Sequence, residues 1–186
     1  MEAWKICRAL NNKIRLELLW RIANSPESAL NVLQAGDFVG LGKAAASQYL
    51  KQLSDAGLLM VERSGRFVVC SSILPSDAPT SLVQKALVEL FAKGATDETL
   101  ATINAFAHHV RLRIVKAVAK AEPVGFEDLQ KTTGLPPATL RRQIGILAKA
   151  NVVAAGDGAG GKRAYSLVRD GSALCSALLK LAIGER

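Results

Sequence analysis

The pattern of apolar positions in this 186-residue chain runs through twice, and no other feature narrows the fold as far. "LNNKIRLELLWRI" from Leu10 resembles "FAHHVRLRIVKAV" from Phe106, an offset of 106 − 10 = 96. "LGKAAASQYLKQLSDAGLL" from Leu41 resembles "LPPATLRRQIGILAKANVV" from Leu135, an offset of 94. Arg66 in "SGRFVV" matches Arg163 in "GKRAYSL", an offset of 97. Three blocks in one order, with offsets that loop insertions explain, make a duplicated unit. Its joint lies near "KGATD", residues 93–97, and so short a joint implies that the copies pack together.

Each copy reads as four helices, a hairpin and a closing helix. In the first copy an opening helix covers residues 2–10, and Asn12 is placed to cap the next. A short third helix is expected at 30–36 and a fourth at 43–55, before "LLMVER-SG-RFVVCS" alternates around Ser64–Gly65 as a hairpin does. In the second copy Thr96 and His108 are the expected caps of the first two helices. The fourth opens on Pro136–Pro137, and Asp170 is the expected cap of the last. The fold expected is mainly α with small β-hairpins (α+β). One domain spans 1–94 with a closing helix at 80–93, and a second spans 95–186 with a closing helix at 171–183.

Three helices followed by a β-hairpin make a winged helix-turn-helix, which identifies the helix at 43–55 as one that enters the major groove. Leu41, Ala46, Leu50 and Leu53 supply its inward face, while Lys43, Ala44, Ser47, Gln48 and Lys51 point outward. Alanines at 44 and 45 allow close approach to bases, Ser47 and Gln48 offer hydrogen bonds, and Lys51 reaches for phosphate. Gly57 ends this helix in the left-handed conformation. Asn151, the other residue type that tolerates it, stands there in the second copy.

Charge agrees with such a partner. Lys and Arg number 24 against 16 acids, and split at Lys93/Gly94 the halves carry 11 − 8 = +3 and 13 − 8 = +5. Aromatics at 5% are too few for stacking platforms, which argues against single-stranded nucleic acid. No apolar run approaches the ~18 residues of a membrane span, and "MEAWKICRALNNKIRLELLW" is too charged for a signal peptide. Cys7, Cys70 and Cys175 are far apart and odd in number. They read as buried, reduced thiols of a cytoplasmic protein.

The chain resembles the ArsR-type family of winged-helix transcriptional repressors, including relatives that use no metal. The first copy carries the resemblance in "ALNNKIRLELL", "VGLGKAAASQYLKQLSDAGLLMV" and "RSGRFVV", the second in "FAHHVRLRIV", "TGLPPATLRRQIGILAKANVV" and "GKRAYSL". The resemblance implies that Lys43, Ser47, Gln48, Lys51, Arg63 and Arg66 contact double-stranded DNA, as do Thr139, Arg141, Arg142, Lys162 and Arg163 in the second copy. Relatives carry one such unit per chain and bind as homodimers, so two units imply an intrachain pseudo-dimer. "LVQKALVELF" or the last helix leaves room for further homo-dimerisation.

Metal-sensing relatives place ligands in or next to the helix before the recognition helix, here "SALNVLQAGDF" and "VGFEDLQKTTG", or on the last helix. The two stretches have neither Cys nor His and the last helix only Cys175, so no metal or other cofactor is expected. An enzyme is not expected either, because no nucleophile–base set occurs and "GDGAGGKR" lacks phosphate-loop spacing. The alternative to a regulator is a tandem winged-helix protein-interaction scaffold with one or both DNA faces degenerate. Gly145 in place of the Lys51 lysine is its main support.

Overall fold

The computed structural model describes residues 3–27, 29–65, 67–72, 83, 86–87, 97–158 and 161–184. The first copy runs α1 (Ala3–Leu10), α2 (Lys13–Ala23), β1 (Leu30–Asn31), α3 (Val32–Asp37), α4 (Lys43–Asp55), β2 (Leu59–Ser64) and β3 (Phe67–Ser72). The second runs α5 (Asp97–Phe106), α6 (His109–Lys120), β4 (Val124–Gly125), α7 (Phe126–Thr133), α8 (Pro137–Lys149), β5 (Val153–Asp157), β6 (Arg163–Leu167) and α9 (Ala173–Ile183). Of the expected closing helix at 80–93 only Val83, Ala86 and Leu87 are described, all helical and buried. The cap assigned to Thr96, and residues 93–96 of the joint, lie outside the described residues.

Each copy builds a three-stranded antiparallel sheet, ordered β1-β3-β2 and β4-β6-β5. The hairpin strands match the sequence reading, but the third strand in each sheet does not appear in it. Residues 30–31, expected to begin a helix, pair instead with Cys70 and Val69, and residues 124–125 pair with Tyr165 and Ala164. The helix after β1 starts only at Val32, because Asn31 caps it. The Asn31 side chain accepts from the Leu33 and Gln34 amides, and Gln34 Oε1 accepts from the Asn31 amide at 2.8 Å. A second correction concerns α9: Ser172, not Asp170, caps it by accepting from the Cys175 amide at 3.2 Å.

The caps at Asn12 and His108 form as expected, on the amides of Arg15 (3.0 Å) and Val110 (3.2 Å). Gly57 and Asn151 both take positive φ, 68° and 53°. The same two backbone bonds follow each, Leu58 N–H to Leu53 O and Val152 N–H to Leu147 O, both at 2.9 Å. The copies share a turn, not merely a pattern.

A polar device also occurs in both copies, half-buried in the first and buried in the second. Arg15 on α2 donates from Nε to the Ala9 carbonyl, from Nη2 to the Arg8 carbonyl and from Nη1 to Gln52 Oε1. Arg111 on α6 donates from Nε to Ala105, from Nη2 to Asn104 and from Nη1 to Gln143 Oε1. Each arginine thus ties the C-terminal carbonyls of its copy's opening helix, which lack partners within that helix, to the helix that follows the turn. The side-chain acceptor differs in register. Where the second copy has Gln143 the first has Tyr49, whose ring lies 5.7 Å from the Arg15 guanidinium, and Gln52 one turn on takes over as acceptor.

The halves meet through their opening helices: α1 packs against α5 and α9, and Asn11 Nδ2 donates to Asn104 Oδ1 at 3.2 Å. Ile6, Cys7 and Leu10 of α1 are buried in a core continuous with Ile103 and Phe106 of α5. All three cysteines are buried, and desolvation raises their thiol pKa values to about 12 for Cys7 and about 11 for Cys70 and Cys175. Among the described residues no helix is long and apolar enough to cross a membrane.

Candidate nucleic-acid interface

Helices α4 and α8 have the extents expected from the sequence, 43–55 and 137–149. Ala46, Leu50 and Leu53 anchor α4 in the core, and Leu140, Ile144 and Leu147 anchor α8. The opposite faces are open: Lys43, Ala44, Ser47, Gln48 and Lys51 are exposed on α4, and Arg141, Arg142, Gly145 and Lys149 on α8. Thr139 is half-buried. The alanine run of α4 divides by function. A Cβ added to Gly36 of α3 would lie 3.0 Å from that of Ala46, so Ala46 is small because α3 approaches it, whereas Ala44 faces solvent.

The wings stand beside these helices. Arg63 is exposed at the end of β2, opposite Val68. Lys162 and Arg163 are exposed at the start of β6, while Arg66 lies outside the described residues. Lys162 comes within 4.0 Å of Glu127, and Arg163 faces Asp157 across the hairpin. Lys51 pairs with Asp55 at 2.8 Å, one turn along α4. At such exposure these pairs hold their cations only weakly and leave them available to phosphate.

The faces differ in strength. Counted on formal charge, α4 carries Lys43 and Lys51 against Asp55, 2 − 1 = +1. Helix α8 carries Arg141, Arg142 and Lys149 with no acid, +3. Arg141 is also braced, its guanidinium 5.2 Å from the ring of Phe126 at the start of α7, so the fork is oriented before any partner arrives. Next to α8, His108 is held below the ordinary imidazole pKa, first by desolvation and then by the charges of Arg111, His109, Arg142 and Arg8. It therefore stays neutral, which suits an Nδ1 that accepts from the α6 terminus. Arg8 belongs to α1 in the first copy, so the charge acting on His108 comes from both halves of the chain. The sequence reading missed Arg8, because only the packing of α1 on α5 brings it there.

Gly145 lies mid-helix, exposed, with nothing within 4 Å of an added Cβ. No packing among the described residues requires it. Gly145→Ala is expected to raise the unfolding free energy by about 0.5–1 kcal/mol, read as a shifted urea midpoint at unchanged slope.

A family model described as a helix-turn-helix domain matches residues 106–154, from the end of α5 through α8 into β5. No curated protein matches the chain, and no solved structure does. The second copy thus carries a helix-turn-helix domain of the kind found in DNA-binding regulators, and of α4 and α8 its helix, α8, is the more basic.

Proposed function

We propose that the chain is a sequence-specific double-stranded-DNA-binding transcription regulator, acting as a repressor. In this reading domains 1–94 and 95–186 form an intrachain pseudo-dimer of winged helices. Helices α4 and α8 enter major grooves about one turn (~34 Å) apart, and the wings touch the backbone. The protein acts by binding and not by catalysis.

The observation that carries the reading is the outward face of α8. It presents Arg141 and Arg142 exposed and unopposed by acid, within a matched helix-turn-helix segment and followed by the basic wing strand of Lys162 and Arg163. Arginine forks at this place suit guanine edges or phosphates. Ser47 and Gln48 at the equivalent positions of α4 suit other bases, so an operator with unlike arms follows.

Duplex affinity measured by fluorescence anisotropy should fall steeply with salt. If six phosphates are neutralised, the loss between 50 and 200 mM is roughly a thousandfold. A flat response would sink the proposal.

A second reading has its own support. Among the described residues the exposed large apolar side chains, Ile14, Leu33, Phe38, Met60 and Val68, all lie in the first copy, whose α4 carries only +1. That copy would then serve as an interaction scaffold while the second holds DNA. Lys43→Glu with Lys51→Glu would leave duplex affinity unchanged under this reading and weaken it under the first.

A further inference from the structure

We propose that the cleft between α1, α6 and α9 binds a small aromatic carboxylate as an effector, and that Arg113 reports its occupancy to the second helix-turn-helix. The proposal rests, for its regulatory meaning, on the DNA-binding reading of that copy. The cleft encloses about 390 Å³ and is walled by both halves of the chain. Trp4 of α1, Leu112 of α6 and Leu181 of α9 supply its apolar surfaces. His109, Arg113 and Lys116 supply one basic edge, and their i, i+4, i+7 spacing places all three on a single stripe of α6.

No carboxylate lines the cleft among the described residues, so these charges have no acidic partner within it. The Trp4 ring stands edge-on to His109 at 6.2 Å. A flat hydrocarbon body against indole and leucine, with one carboxylate toward a guanidinium fork and an ammonium, satisfies both halves of this lining. A fully hydrated inorganic anion would leave the apolar walls unused.

The basic stripe is not a by-product of the repeat. At the same offset of 96, α2 carries Lys13, Glu17 and Trp20, and Glu17 is paired with Arg21 at 3.5 Å. Only the second copy has a stripe that no acid interrupts. Arg113 also donates from Nη2 to the Thr133 carbonyl at the end of α7. The next residue, Gly134, has φ of 63° and turns the chain toward α8. A carboxylate that draws the Arg113 fork into the cleft competes with that carbonyl, and so acts on the turn that sets the recognition helix. Glu17 cannot make the equivalent bond, so the first copy lacks this link.

The test uses the full chain without DNA. Calorimetric titration with 2-naphthoate is expected to give saturable one-to-one binding, with the isosteric 2-naphthamide at least about tenfold weaker, the loss expected for one charge-assisted contact. Lys116→Gln should weaken naphthoate to the level of the amide while leaving amide binding unchanged. Deuterium uptake over residues 130–136 should rise with naphthoate in the parent chain and not in Lys116→Gln.

Absence of saturable heat, equal binding of acid and amide, or indifference to Lys116→Gln would each overturn the site. Unchanged uptake over 130–136 would overturn the link through Arg113. Neither readout depends on a duplex, so a chain that binds naphthoate but no DNA would refute the regulator and leave the cleft assigned.

Discussion

Arg111→Met is expected to cost about 3 kcal/mol of unfolding free energy, because it removes the donor and leaves its acceptors buried. The side chain is 7% exposed and holds the Ala105 and Asn104 carbonyls together with Gln143 Oε1. Methionine fills much of the volume and satisfies none of them. Arg111→Lys should recover little, since a single ammonium cannot reach three acceptors set out for a planar fork. Arg15→Met breaks the same arrangement in the first copy, but Arg15 is only half-buried and water can replace part of the loss. Its cost should be roughly half as large. Urea unfolding followed by circular dichroism separates the two. A midpoint for Arg111→Met equal to that of the parent would mean that the fork contributes nothing net.

The largest functional effect is expected from Arg141→Glu combined with Arg142→Glu. If the two guanidiniums contact bases or phosphates, each is worth about 1–3 kcal/mol, and replacing them with carboxylates adds repulsion. Duplex affinity at moderate salt should fall at least a hundredfold, roughly 3 kcal/mol. Both side chains are exposed, so the thermal transition should barely move. Ser47→Ala with Gln48→Ala should cost only several-fold, because neutral side chains supply fewer and weaker contacts there. Unchanged affinity in the arginine pair would assign the second copy another task.

Much of this architecture is legible in the residues because the long helices bury one face each. The spacing of Ala46, Leu50 and Leu53, and of Leu140, Ile144 and Leu147, gives the extents of α4 and α8 directly. Strands β1 and β4 are not legible, since two residues cannot display an alternation. The start of α3 is legible too: Asn31 followed three residues later by Gln34 is a capping-box signature, which places the first helical residue at 32 and not at 30. At α9 two capping residue types stand within three positions, and Ser172 rather than Asp170 lies next to the first helical residue.

The arginine forks show a different limit. Arg15 and Arg111 are identical in a repeat that otherwise preserves mainly apolar positions, which was a visible clue. Their acceptors are mostly backbone carbonyls, which no sequence displays, and the side-chain acceptor has moved from register 143 to 52 between copies. For the interface, exposure of Lys43, Ser47, Gln48, Lys51, Arg141 and Arg142 follows from helical geometry alone. The effect of Arg8 on His108 does not, because it depends on how α1 lies against α5.

The junction of α1 with α5 and α9 joins halves whose exposed helices α4 and α8 differ in charge, +1 against +3. In an association of identical subunits every substitution is written on both sides, and the particle has no front or back. A fused pair escapes that constraint, since each side can be altered once and alone. Bound to a duplex as proposed, such a molecule has a heading: it distinguishes the two directions along the helix.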